Sequence, residues 1–324
     1  MNEKILALLH SPHPFDTYFK SVFGIVEAAR QLIEFAVPKE ILEKMDLDTL
    51  TLASDTYIDE KLRKSMSDLV YVCDYERGQK ARICVLFEHK STHPGRMVYP
   101  QVGRYLTGAQ EEDVRQNREN FTLTIPILFY HGEDAWNPKP LHSLYGAIPG
   151  ELARFIPAFD FLVVNLQKMS RDEILAIREF SLLRNIFLAM KRAWDDNFFR
   201  KHYRDIVIFV DENVRDEALL LLFDLTWLFV QHISSLKTED FMEIATALPQ
   251  PQEQKAKTVI EQFREKFQKE GMEKGMEKGM EVAMEKSIRQ IMLKRPQMPD
   301  EEIADLLDVS LEKVKKVRAS LQQS

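Results

Sequence analysis

The sequence predicts an α/β fold in which helix, three strands, helix and strand follow in order (αβββαβ), a central mixed sheet with flanking helices and additional helices at the C-terminus. Three observations carry this expectation. Apolar residues recur at helical spacing from Phe15 to Val37; short runs rich in Val, Ile, Tyr and Phe follow; and a further helical stretch separates them from another apolar run of strand length. The 324 residues allow one large domain with an appendage, or two of ordinary size.

Phe15, Phe19, Val22, Phe23, Val26, Ile33 and Val37 predict one helix, which Pro38 stops. Three extended segments come next, Leu50 to Ile58, Asp68 to Tyr75 and Ala81 to Lys90, the last two forming a hairpin around Glu76-Arg77-Gly78-Gln79. Met97 to Arg118 returns to helix, and Phe121 to Tyr130 has the length and composition of a strand despite Pro126. Phe159 to Leu166 predicts another strand, followed by helices over Arg171 to Arg192, Phe198 to Val210 and Val214 to Ile233. The pattern breaks at Pro249-Gln250-Pro251. This divides the chain into a body of residues 1–250, a repeat helix or linker at 251–294, and a small helix-turn-helix-like module at 295–324.

Composition narrows the function classes. Apolar residues at 45% and charged residues at 29% are ordinary globular usage, so wholesale disorder is excluded. The net charge of −7 excludes a polycation that coats nucleic acid by bulk charge. That charge is unevenly placed: 15 Lys+Arg and 14 Asp+Glu lie from Gln252 onward, while the residues before it hold 29 and 37, a net of −8. Two cysteines, Cys73 and Cys84, are too few for a disulfide framework, and strand alternation puts them on opposite sheet faces. The stretch Ile5 to Leu9 lacks the basic leader of a signal peptide, and Ala218 to Val230, interrupted by Asp224, is too short to span a bilayer.

The tetrad Gly-Met-Glu-Lys recurs from Gly271 to Glu281. A period of four advances about 40° beyond a full helical turn, so each residue type forms a slowly winding stripe. Glycines at fixed spacing beside adaptable methionines predict a partner helix, in this chain or in a homo-oligomer; a spacer born of duplication is the alternative. Asp300 and Ser310 are expected N-caps of two short terminal helices. Lys313, Lys315, Lys316 and Arg318 make the last helix basic, as in a DNA-contacting helix-turn-helix or, alternatively, a solvated docking module.

The hairpin carries the chemistry. With Arg77 to Gln79 as the loop, Glu76 pairs with Lys80 and Asp68 with Glu88, placing two carboxylates across adjacent strands about 5 Å apart at Cβ. Alone they would repel; a hard divalent cation removes the conflict, and Mg²⁺ is held by one or two carboxylates with water and a phosphate oxygen. Lys90, on the same face, is placed to orient a water or to offset charge on a phosphoryl group, whereas His89 faces away. The alternative is a solvated strand face with cross-strand ion pairs.

The order of elements, with Asp68 opening the second strand and Glu88-His89-Lys90 closing the third, resembles the core of the PD-(D/E)xK nuclease superfamily. More narrowly, His13-Pro14-Phe15-Asp16-Thr17-Tyr18-Phe19-Lys20, Ser67-Asp68-Leu69-Val70-Tyr71, Phe87-Glu88-His89-Lys90-Ser91, Arg104-Tyr105 and Pro126-Ile127-Leu128-Phe129-Tyr130-His131-Gly132 are similar to the recombination-promoting nuclease (Rpn) family, also described as transposases. The resemblance implies a metal-dependent DNA endonuclease of a bacterial cytoplasm, using Mg²⁺ or another divalent cation such as Mn²⁺ or Ca²⁺, connected with recombination. It assigns metal binding to Asp68 and Glu88 and the catalytic lysine position to Lys90, where many family members have glutamine. Ser67 stands in place of the nominal proline. Asp16 matches an acidic position that assists the metal or the fold, with N-capping as its alternative. Gln101, Arg104 and Tyr105, at i, i+3 and i+4, are expected to share a face that contacts phosphate, supports Lys90 or packs the helix. His131 reads as structural.

Overall fold

The structure is a computed structural model that describes residues 2–53, 68–76, 79–88, 95–132, 134, 136–192 and 195–322, with the backbone alone at 68, 84, 86–88, 192, 321–322 and parts of 267–283. The described residues form two compact units, Met1–Ile260 and Glu261–Ser324.

The first unit opens with helices α1 (Glu3–Leu9), α2 (Pro14–Phe23), α3 (Val26–Ala36) and the short α4 (Lys39–Leu42). The single helix expected from Phe15 to Val37 is thus two. At the break Gly24 donates its N–H to the Lys20 carbonyl, and Ile25 is extended and buried. A side chain at Gly24 would meet that carbonyl oxygen at 2.8 Å, so only glycine lets the chain turn there. Asp16 lies in the first turn of α2 and pairs with Lys20 at 3.4 Å; the N-cap is His13, which corrects the capping alternative for Asp16.

The strands are β1 (Met45–Leu52), β2 (Asp68–Tyr75), β3 (Gln79–Glu88), β4 (Leu123–Tyr130) and β5 (Leu162–Asn165), in spatial order β1-β2-β3-β4-β5. The first three run antiparallel and the last three parallel. A crossover helix, α5 (Val98–Arg115), joins β3 to β4, as a parallel connection requires. This is the α/β class and αβββαβ order that the sequence predicts. The first strand begins five residues earlier than expected, and the expected residues beyond Ala53 lie outside the described residues. Pro126 is tolerated because the β4–β5 ladder starts one residue later, at Ile127.

Register sorts the strand residues onto two faces. On one, Tyr71, Ile83, Val85, Ile127 and Phe129 are buried. Phe129 meets Phe19, Phe23 and Phe187 at ring centroids of 5.0, 6.1 and 5.6 Å, and Tyr71 donates its hydroxyl to the Phe23 carbonyl at 2.6 Å. This face is closed by α2, α3 and a later helix, α7 (Ser181–Arg192), which follows α6 (Arg171–Leu175). On the other face Val70, Leu128 and Tyr130 pack with Val98, Tyr99, Val102 and Tyr105 of α5.

The far end of α5 is tied to the same face by charge. Arg82, fully buried in β3, donates from Nη1 to Asp113 Oδ2 and to the Ala109 carbonyl, each at 3.0 Å, and from Nη2 to Asp113 Oδ1 at 2.5 Å. Asp113 also accepts from the backbone N–H and hydroxyl of Thr122, at 2.7 and 3.0 Å, at the entrance to β4. Burial alone would raise the Asp113 pKa, but these hydrogen bonds and the guanidinium outweigh it and hold the carboxyl below its ordinary value.

The remaining helices of this unit are α8 (Asp196–Val207), α9 (Asp216–Ile233) and α10 (Thr238–Thr246). Tyr18 stacks on Phe229 of α9 with centroids 4.1 Å apart and bonds Thr226, which carries α2 onto α9. The long α11 (Gln252–Lys294) begins in the first unit, where its Lys255 pairs with Asp224 at 2.7 Å, and ends in the second. There Ile288 and Met292 bury against Ile303 of α12 (Asp300–Leu307) and Val314 and Val317 of α13 (Leu311–Gln322). The module is therefore a three-helix unit, because two helices of this length could not bury both apolar faces. Asp308, at φ 51°, turns the chain between α12 and α13. Ser310 accepts from Lys313 N, whereas Asp300, expected as a cap, is the first helical residue after Pro299 and instead accepts from Arg318 Nε at 2.5 Å. Among the described residues no helix is long and apolar enough to cross a membrane.

Replacing Asp113 with Asn should destabilise the body by about 3–5 kcal/mol, because Arg82 then keeps a buried charge without its partner. Urea unfolding monitored by tryptophan fluorescence measures it. Since the folded pKa of Asp113 is depressed, its contribution is full above the ordinary carboxylate pKa and lost as pH falls through the lower folded value; the wild type should lose this increment on acidification and the Asn variant should not. In the second unit Arg318→Ala should lower stability by about 1–3 kcal/mol, whereas Lys315→Ala and Lys316→Ala, both exposed, should stay within about 0.5 kcal/mol. Burial, with Asp74 and Asp46 nearby, pushes the Cys73 thiol up to about 11. Peptide mapping after alkylation at pH 8 should find Cys73 unmodified in the native protein and modified in denaturant.

Candidate active site

The hairpin pairs Tyr75 with Gln79, Asp74 with Lys80 and Asp68 with Leu86. The expected pairing of Asp68 with Glu88 is corrected by two residues. The ladder closes on Tyr75 and Gln79 rather than on Glu76 and Lys80, and moving both closing residues by one position moves the pairing by two. Charge complementarity favours the observed register: Lys80 pairs with Asp74 directly across the strands, and Glu76 pairs with Lys44 at 3.3 Å.

A shift of two preserves faces, where a shift of one would exchange them. Positions 68, 86 and 88 share the face of Val70, Leu128 and Tyr130, which α5 covers. Asp68 is the first residue of β2, and Glu88 is the last of β3, in register with Tyr130 at the end of β4. The two acidic positions are therefore diagonal neighbours at one end of the sheet. Ser67, His89 and Lys90 lie outside the described residues. Positions 73 and 84 fall on opposite faces, as alternation predicts.

The residues of α5 divide. Gln101 and Tyr105 are buried, Tyr105 within the cluster that holds Val70, while Arg104 is exposed. The single shared face expected for all three is thus split, because i and i+4 lie closer around a helix than i and i+3 do. Of the side chains assigned on this helix, Arg104 is the one open to a ligand. Asp16 belongs to α2, on the opposite side of the sheet from α5, and its described ion pair is with Lys20. His131, next to the end of β4, stacks on Phe15 with centroids 5.3 Å apart, which suits a packing role. In the second unit Lys315 and Lys316 are exposed and Lys313 half-buried, but Arg318 is engaged with Asp300 and the Met298 carbonyl.

Two features escape sequence reading. Arg82 looks like an interruption in an apolar strand; its partner is 31 residues away in sequence, so its role as the anchor of α5 has no local signal. A polar cleft of about 1010 Å³ is lined by residues that include Arg30, Glu34, Asp48, Asp211 and Arg215, brought together from α3, β1 and the approach to α9. It contains none of the residues assigned from sequence.

Comparison with known proteins gives this arrangement its setting. The inactive recombination-promoting nuclease-like protein RpnE of Escherichia coli K12 is 29% identical over 255 residues, 79% of this chain and 82% of its own. The recombination-promoting nuclease RpnA of the same strain is 31% identical over 53% of this chain and 59% of its own, and RpnD of Escherichia coli O157:H7 is 28% identical over 74% and 90%. No solved structure gives a significant match. Residues 12–220 match the family described as "Putative transposase, YhgA-like", and with these relatives they bear out the resemblance read from the motifs: the chain belongs to that transposase-like, recombination-promoting nuclease family.

Proposed function

We propose that the protein is a metal-dependent DNA endonuclease that hydrolyses phosphodiester bonds in recombination or mobile-element biology. The observation that carries this reading is the hairpin register, which gives Asp68 and Glu88 one face at one end of the sheet in a chain whose relatives include proteins named recombination-promoting nucleases. Diagonal neighbours across a strand pair lie about 7–8 Å apart at Cα, against about 5 Å for direct partners. That spacing suits two carboxylates converging on one hard cation, and an all-oxygen donor set suits Mg²⁺, Mn²⁺ or Ca²⁺. When bound, the cation supplies charge stabilisation at the phosphoryl group and lowers the pKa of a coordinated water. Asp68 and Glu88 would hold it. Lys90 orients the attacking water and offsets charge on the phosphate; Arg104, exposed on α5, is placed to contact the DNA backbone. Asp16, paired with Lys20 in α2, serves the fold rather than the metal.

The protein acts in a bacterial cytoplasm on DNA, with Lys313, Lys315 and Lys316 as auxiliary phosphate contacts and Arg318 supporting their helix. It self-associates through the 271–281 repeat, where Met272, Met276 and Met280 stay largely exposed. A second reading is a catalytically idle DNA-binding or recombination-accessory protein. It is favoured by the extent of similarity to a relative named as inactive.

Plasmid cleavage separates the two. Nicking or linearisation in Mg²⁺, abolished by EDTA and lowered at least about 100-fold by Asp68→Ala or Glu88→Ala, is expected of the first reading. Cutting that survives Asp68→Ala sinks the assignment, and salt-sensitive binding with no cleavage in any divalent cation supports the second.

A further inference from the structure

The connection from β4 to β5, residues 131–161, leaves the sheet beside the end of the β3–β4 ladder, where Tyr130 is the register partner of Glu88. Its base is anchored. Leu141, Leu144, Phe159 and Phe161 pack against the cluster that contains Val70 and Tyr130, the Tyr99 hydroxyl donates to the Lys139 carbonyl, and the Asn165 amide donates to the Trp136 carbonyl at 2.9 Å. Its tip is bare. Two 3₁₀ turns, Leu141–Tyr145 and Gly150–Phe155, each entered from a proline, leave Tyr145, Leu152 and Phe155 at 47%, 51% and 76% exposure.

Scattered apolar residues are ordinary on a surface, but a group at the tip of an anchored arm is a contact surface. The side chain beside the most exposed of these residues indicates the partner: Arg154 holds its guanidinium 5.9 Å from the Phe155 ring centroid. An exposed ring beside a guanidinium matches an unpaired nucleotide: the base stacks on the ring, and the guanidinium takes the phosphate. The arm also shares its supporting cluster with the face that carries positions 68 and 88.

We propose that Phe155, with Arg154 and Leu152, forms a base-stacking tip that engages unpaired nucleotides of the DNA substrate, so that the preferred substrate contains single-stranded or unstacked DNA. This deepens the nuclease reading and rests on it.

The test measures fluorescence anisotropy of the full chain, in an Asp68→Ala background that leaves the DNA intact, on a single-stranded oligonucleotide and a blunt duplex of the same sequence at fixed salt. Phe155→Ala should weaken single-strand binding about tenfold and duplex binding less than about twofold. Phe155→Trp should restore binding and add, above the emission of the three native tryptophans, an indole component that DNA quenches. Because Phe155 is exposed, these substitutions leave the core intact, which circular dichroism checks. Unchanged affinity for both DNAs in Phe155→Ala overturns the proposal, as does an equal loss on both. A change in oligomer size by light scattering with unchanged DNA affinity overturns it in favour of a second copy covering the tip. If the unmutated protein neither binds nor cuts DNA, the nuclease reading fails and the tip with it; if it cuts and Phe155→Ala binds normally, the tip alone fails.

Discussion

The buried pair of Arg82 and Asp113 is the constraint on which the candidate site depends. A guanidinium and a carboxylate withdrawn from water each carry a large desolvation cost, which their mutual attraction offsets only when geometry is good and the remaining lone pairs and protons are satisfied. Here the carboxylate takes two contacts from Arg82 and two from Thr122, and the guanidinium also reaches the Ala109 carbonyl, its Nε alone staying buried without a hydrogen-bond partner among the described residues. One interaction thereby joins the middle of β3, the end of α5 and the entrance to β4. Apolar contact between α5 and the sheet would tolerate a sliding or rotated helix. A buried charge pair does not, because any displacement strands an ion.

With α5 held, the two faces of the sheet take different work. The face beneath α2, α3 and α7 is an aromatic core in which Phe19, Phe23, Phe129 and Phe187 interlock, and it presents no described chemistry to solvent. The face beneath α5 is apolar only over part of its length. Val70, Leu128 and Tyr130 are covered, and the acidic positions 68 and 88 lie at the strand ends next to them. A rigid apolar floor next to polar strand ends is the arrangement by which a scaffold presents functional groups without unfolding to reach them.

Legibility in the sequence followed the range of the forces involved. The bounds of β2 coincide with those read from its Val- and Tyr-rich run, and α9 is displaced by only two residues at its start, since both are set by local periodicity. The break at Gly24 had a visible signal, a glycine within an apolar run, but its decisive cause is the crowding against the Lys20 carbonyl, which appears only once the helix is built. The hairpin was legible as a hairpin, yet its register turned on whether Lys80 faces Asp74 or Glu76, and the two choices look alike in sequence. The Gly-Met repeat announced a helix, and α11 is continuous through it. That the terminal helix pair needs the last turns of α11 to complete its core was not announced, because Ile288 and Met292 continue the repeat helix in sequence.

By itself the sequence determined the α/β class, the order of elements, the family and the parity that puts Asp68 and Glu88 on one face, because periodicity and motif order are properties of neighbouring residues. Tertiary structure decided the rest. The two-residue offset of the hairpin, the separation of Gln101 and Tyr105 from Arg104, the diversion of Arg318 to Asp300 and the anchoring of α5 by Arg82 each depend on groups distant in sequence. Their partners are selected by burial and charge compensation, energies that arise only when the chain has closed around them.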